Sequence, residues 1–342
     1  MDRRLASWTA GVFALLAIGA IVYVLRTPDP VLPIEVPVRE IPLAGRASES
    51  VAELSGLAMR HDTLVMLPQY PARHGSVLFA LTESQIEGYL DTSGGAPLTP
   101  SEIPLDSQGI EDTVQGFDGF EAIAFGRDEH VYFAVEGLRS ATTSAGFLVR
   151  GRVEGDLARI VLEPEHLVSL PPQNELENTG YEAIVLQGDR VLALYETYGE
   201  VNPHPRVMAA DLDLTGAHEL PMAPLEYRIT DATAIDRTGS FWVANYHWPG
   251  APWSPGSCSL TERYGRGASH SRCATVERLV ELHVTDQGVV VSDRAPIQLE
   301  LIDDDHARNW EGVVRFGEHG FLLVTDEYPR TTLGYVEASS EN

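Results

Sequence analysis

Lysine is missing altogether. All 24 basic residues of the 342 are arginine, set against 50 aspartates and glutamates. Without an amine, a Walker-type phosphate loop and a Schiff-base nucleophile are both excluded. Basic charge of any kind is scarce, and the formal net charge is −26 at pH 7. A surface that negative repels polyanions, so nucleic acid is excluded as an expected partner. Cysteine is almost absent too. Cys258 and Cys273 stand in a Gly/Ser/Arg-rich stretch with no histidine at metal-finger spacing. In an exported protein they would close a surface loop as a disulfide, contributing about 3 kcal/mol in the chain-entropy view. Two free thiols are the alternative. The catalytic signatures HExxH, GxSxG and GxGxxG are missing as well.

One long apolar run exists, at residues 5–25 ("LASWTAGVFALLAIGAIVYVL"), and it carries no charge. At about 1.5 Å per residue it matches the hydrocarbon thickness of a bilayer. Arg3 and Arg4 precede it, which favours a cytoplasmic residue 1–4 segment, a single-pass anchor and an exported remainder in the periplasm or outside the cell. A signal peptide cleaved near "AIGA" (17–20) is the competing expectation. The proline-rich residues 26–45 read as a stiff linker leading into a closing strand.

What is abundant is repetition. Five segments share one pattern: "SGLAMRHDTLVMLPQ" from Ser55, "EAIAFGRDEHVYFAVE" from Glu121, "EAIVLQGDRVLALYE" from Glu182, "DATAIDRTGSFWVAN" from Asp231 and "EGVVRFGEHGFLLVTD" from Glu311. The first position is acidic or Ser, and the second is always small (Gly56, Ala122, Ala183, Ala232, Gly312). A turn and a second apolar run follow, ending at Gln69, Glu136, Glu196, Asn245 or Asp326. Each copy therefore predicts two short strands around a tight turn. Further strand pairs are expected between copies, among them 75–91, 146–164, 206–221 and 276–294. Beyond the anchor no segment shows a helical period. The fold class expected is all-β, a five-bladed propeller of four-stranded blades over residues 46–338, with six blades as the alternative count. Residues 33–41 would complete the last blade, and the small second column would let neighbouring sheets meet near the axis.

If the first column opens the innermost strands, Glu121, Glu182, Asp231 and Glu311 converge on the axis with Ser55. Crowded carboxylates hold either protons or a cation. Oxygen donors, several of them charged, suit Ca²⁺. The alternative is that these acids cap backbone N–H groups of adjacent blades. Gln69, Glu136, Glu196, Asn245 and Asp326 form a second ring expected to face substrate. His247, in the aromatic loop "NYHWPGAPW", is a candidate general base.

The motifs "GFEAIAF…VYFAVEG", "GYEAIVL…VLALYE" and "NWEGVVRF…GFLLVTDEYP" resemble the phytase-like propellers named for an esterase-like activity of phytase. More distantly they are similar to the calcium-dependent gluconolactonase and paraoxonase propellers. The resemblance covers about residues 50–337. It implies a Ca²⁺ held by Glu121, Glu182, Asp231 and Glu311, polarising an ester, lactone or phosphoester. Ser55 departs from the acidic pattern, although Glu53 lies two residues earlier. The partner expected is a small-molecule ester, or an envelope component if the propeller is a non-catalytic scaffold.

Overall fold

The computed structural model describes residues 32–92, 95–140, 143–304, 306–318, 320–326 and 330–338. Residues 5–25, where the anchor is expected, lie outside that set. Among the described residues no helix is long and apolar enough to cross a membrane.

Residues from Ile34 onward form one compact unit, in which the strands fall into five groups. The first comprises Leu54–Arg60, Thr63–Pro68, Val77–Thr82 and Ser101–Asp106; the second Gly119–Phe125, His130–Ser140, Thr143–Glu154 and Arg159–Leu170. These two share an edge, because their outermost strands pair in parallel through Leu105 with Ile160 and Asp106 with Val161. The third group is Tyr181–Gln187, Arg190–Tyr195, Arg206–Asp211 and His218–Pro221. The fourth runs from Arg228–Ala232 through Ser240–His247 and Val276–Thr285 to Ile297–Leu299, with Glu35–Val36 added in parallel at its edge. In the fifth, Trp310–Phe316, Gly320–Thr325 and Leu333–Glu337 are joined by the early strand Arg39–Ile41. The two ends of the described chain thus meet in one sheet.

The sequence pattern explains the stacking. Successive strand residues point to opposite faces, and here both faces are covered, so the strands are apolar almost throughout. In Thr63–Pro68, Val65 and Leu67 join the core against the second group, while Leu64 and Met66 join the core against the fifth. In Arg190–Tyr195, Leu192 and Leu194 face the fourth group; Val191, Ala193 and Tyr195 face the second. Trp242, Leu279, Trp310 and Phe321 fill the space between the fourth and fifth. Five such cores link each group to the next and the last to the first. The innermost strands touch in the same cyclic order. This is a propeller-like arrangement, and each fully buried Leu or Phe in it contributes about 1.5–3 kcal/mol.

The small second column has the expected cause at two positions. A Cβ on Gly56 would lie 3.4 Å from Ala122 Cα, on the neighbouring inner strand. One on Gly312 would stand 2.7 Å from Leu57 Cγ and 2.7 Å from Val324 Cγ1.

Two expectations fail. Residues 75–91 are not a strand pair: Val77–Thr82 is followed by the helix Glu83–Leu90. A capping box makes it, with Thr82 Oγ1 accepting from the Gln85 backbone N–H and Gln85 Oε1 accepting from that of Thr82. The local "TESQ" signal outweighs the apolar alternation before it. The second failure is the disulfide, since Cys258 and Cys273 are both free thiols. Cys258 instead caps the short helix Ser259–Tyr264, its Sγ accepting from Thr261 N–H (3.4 Å) and from Arg278 Nη1 (3.3 Å). The loop is fixed by Glu35, whose carboxylate accepts from Ser269 N–H, His270 N–H and His270 Nδ1–H (2.7 Å).

Candidate active site at the polar end of the axis

Every inner strand starts with a register shift. The unpaired residue is Ser55, Glu121, Glu182, Thr230 and Glu311 in groups one to five. A bulge bends the strand and re-aims the side chain. The repeats therefore align differently from the sequence expectation in one place. Thr230, not Asp231, matches the acids, and Asp231 takes the position held by Gly56, Ala122, Ala183 and Gly312. Hydrogen bonding shows the same equivalence. Ser55 Oγ donates to the Phe120 carbonyl (2.5 Å), and Thr230 Oγ1 donates to the Trp310 carbonyl; each acceptor directly precedes an acid of the next strand.

Asp231 plugs the axis one step deeper. Its Oδ2 accepts from the backbone N–H of Val313 (2.8 Å) and Leu57 (3.3 Å), and its Oδ1 from its neighbour Ala232 (2.8 Å). Burial pushes this carboxyl up while the three donors pull it down. For Asp231 the strand-capping role applies and the metal-ligand expectation does not.

The other acids gather at the end where the inner strands begin. Glu121, Glu136, Glu182 and Glu196 are buried, whereas Glu311 is partly exposed. A methyl group at Gly180 would stand 3.5 Å from Glu136 Oε2 and 3.5 Å from Glu182 Oε1, so those two carboxylates flank one small space. Desolvation, then repulsion from Glu136 and Glu311 among others, raises Glu121 well above the ordinary carboxylate range. Glu182 is raised likewise by burial and then by Glu121, Glu136 and Glu311. Burial brings Glu136 to about 7 and Glu311 to about 7.

Sequence reasoning missed the cation at the centre. Arg228, three residues before Asp231 on the fourth inner strand, forms an ion pair with Glu196 and pulls Glu136, Glu182 and Glu311 downward. Only one repeat carries an arginine there, so no column of the repeat could reveal it. Gln69 Nε2 donates to Glu121 Oε1 (3.0 Å), and Asn309 Nδ2 to Asp326 Oδ2 (3.4 Å). Asn309 also steadies Glu311. Two carboxylate oxygens, Glu136 Oε1 and Glu196 Oε2, are buried without a hydrogen-bond donor.

Of the second ring, Gln69, Glu136, Glu196 and Asp326 thus belong with the acid cluster. Asn245 does not face it. Its amide donates to the carbonyls of Glu226 and Arg228, and its oxygen accepts from Arg278 Nε (2.7 Å), which braces the strand bearing Arg228. His247 packs against Tyr227 and Trp253, and burial and Arg266 lower its basicity. None of the clustered acids is among its neighbours, so the general-base expectation has no geometric support. Glu53 turns outward to Arg73.

The expected Ca²⁺ ring does not fit this donor set. Asp231 is engaged by three N–H groups, and the cation Arg228 already stands among the remaining acids. Among the described residues no three His, Cys, Asp or Glu side chains are grouped so as to hold a metal ion.

No protein-family model matches the chain, and no curated protein matches it in sequence. Solved structures similar to it are a glucose dehydrogenase (14% identity, 88% of this chain and 99% of that one, TM-score 0.45) and the soluble aldose sugar dehydrogenase of Escherichia coli (12%, 89% and 100%, 0.42). A GH43_1 enzyme from Xanthomonas citri complexed with xylose is similar at 10% identity over 86% of this chain and 90% of that one, TM-score 0.46. At such identities and scores nothing of their chemistry transfers, and the phytase-like motifs remain a resemblance.

Proposed function

We propose that this chain is a five-bladed β-propeller hydrolase whose active centre is the carboxylate cluster around Arg228, acting on an ester or lactone. The observation that carries the reading is Glu311: a partly exposed carboxyl brought to about 7 beside a fixed guanidinium. Clusters of carboxyls shifted toward neutrality by burial and by one another mark candidate functional sites. Differently tuned neighbouring carboxyls divide acid and base roles.

In this reading Glu311, when ionised, removes a proton from water as the water oxygen attacks the carbonyl carbon. Arg228 faces the tetrahedral oxyanion. Collapse breaks the bond to the leaving oxygen, which takes a proton from Glu121, the buried acid held well above the ordinary range, and is released as the alcohol. The −26 charge and the lack of an arginine-rich run disfavour a phosphoester. Residues 5–25 and the arginines before them support an anchored, exported enzyme.

The test is turnover of an ester and lactone panel across pH, with EDTA and Ca²⁺ arms. The rate should rise as a group near pH 7 ionises, and Glu311→Gln should lower it about 10²- to 10⁴-fold with no loss of Tm. Turnover unaffected by that substitution, or none on any substrate, contradicts the reading.

A further inference from the structure

The opposite end of the axis carries a second site. A cavity of about 610 Å³ opens there, on the far side of Asp231 from the acids. All five inner strands contribute to its wall, through Leu57, Ile123, Ile184, Ala232 and Val314, with Ile235 at the rim. Its volume falls within the ordinary range for small-ligand pockets, roughly 300–1,000 Å³. The lining is mostly aliphatic, and the one nearby tyrosine is spoken for, since Tyr132 donates to the Leu212 carbonyl (2.8 Å).

The rim carries arginine donors that nothing accepts from. Arg127 and Arg315 line the mouth, and Arg60 lies over the Phe125 ring beside it. Arg60 Nε and Arg315 Nε are buried N–H donors without an acceptor. Three acids are close: Glu281 pairs with Arg294 (3.2 Å), and Asp128 and Asp236 bond within their own turns. Asp128 accepts from His130 N–H (3.0 Å) and His130 Nδ1 (2.7 Å). Asp236 Oδ1 accepts from Thr238 N–H, Thr238 Oγ1 and Ser240 N–H, leaving its Oδ2 at 3.5 Å from Arg315 Nη2. Burial lowers the Arg315 guanidinium from its usual range, a deficit that an incoming anion would relieve.

We infer that this cavity binds a small amphiphilic carboxylate, its hydrocarbon body among the inner-strand aliphatics and its head on Arg315 and Arg60. A hydrocarbon without an acceptor would fill the same walls and leave the two N–H donors unmet, and an amide offers one neutral acceptor oxygen where a carboxylate offers two charged ones. The site is separate from the acid cluster and does not rest on the hydrolase reading.

Decanoate and decanamide, titrated into the full-length protein by calorimetry below their micellar range, test this. Decanoate should bind saturably with 1:1 stoichiometry, and decanamide at least tenfold more weakly. Arg315→Gln should shrink that preference to under about threefold. Ala124→Phe, from a partly buried wall position, should abolish binding of both. Ala234→Phe, at an exposed position on the mouth, should do the same and spares the fold if the first variant does not. Ester turnover measured on Ala234→Phe should equal wild type, which keeps this site's failure distinct from that of the acid cluster. No saturable decanoate binding, equal binding of the amide, or binding undiminished in a folded Phe variant would overturn the inference.

Discussion

The two ends of the axis are made by the same five strands and have opposite chemistry. Where the strands begin, a bulge in each aims a carboxyl or hydroxyl inward, and Glu121, Glu182 and Glu311 meet Glu136, Glu196 and Arg228. Where they finish, Ile123, Ile184 and Val314 leave an aliphatic cavity with arginines at its rim. Between them Asp231 ties three inner strands by their N–H groups. The contrast teaches that position along one short strand sets which end is polar and which apolar, while the fourth blade adds the cation and the plug. It also separates residues that hold the ring shut from residues free to act.

That separation can be broken most severely at Asp231. Asp231→Leu leaves three backbone donors buried and unmet, at about 1–3 kcal/mol each, and should destabilise by about 3–5 kcal/mol in a urea melt after partial relaxation. Asp231→Asn, which keeps an acceptor oxygen, should cost less. A loss below about 1 kcal/mol for the Leu variant would mean that Asp231 is no strut.

Arg228 comes next. Arg228→Gln strips the acid cluster of its cation and should lower stability by about 2–3 kcal/mol at pH 7, discounted because its side chain is 28% exposed. Adding Glu196→Gln should restore part of the loss, as a double-mutant cycle would register. Simple additivity of the two would argue against the pair.

A pH series sharpens the comparison further. Unfolded glutamates release protons near 4.5, whereas Glu136 and Glu311 hold theirs to about 7. The native state then binds protons the unfolded chain has lost, so their contribution is full below about pH 4.5 and is lost as pH rises through about 7. The decline assignable to Glu136 should be on the order of 3 kcal/mol, and Glu136→Gln should flatten it. A melt that gains stability over that interval in wild type, with no change in the variant, reverses the sign. The smallest effect belongs to His247, which lies away from the acids: His247→Phe should leave ester turnover within about twofold of wild type, and a loss of 10² or more would return it to the site.

Much of this was legible in the sequence because paired, continuous apolar runs and a recurring small residue are direct consequences of stacked sheets covered on both faces. The convergence of Glu121, Glu182 and Glu311 followed from that repeat alone. The rest lay in register and in tertiary partners. "TDA" at 230–232 reads equally well as an acid followed by a small residue or as a hydroxyl followed by a plug, and only the pairing of Ile229 with Asn245 and of Asp231 with Ala244 decides. Arg228 belongs to no repeat column, so its ion pair with Glu196, 32 positions earlier, left no local trace. The helix Glu83–Leu90 did leave one, in its Thr82–Gln85 box, but the apolar run before it masked the signal.

The most direct measurement is a ¹³C NMR titration of the glutamate side-chain carboxyls, assigned with Glu136→Gln and Glu311→Gln. Two resonances moving near pH 7, each lost in its own variant, are the expected result. Every glutamate titrating below about pH 5 would contradict the buried, mutually perturbed carboxylates on which the active-site reading stands.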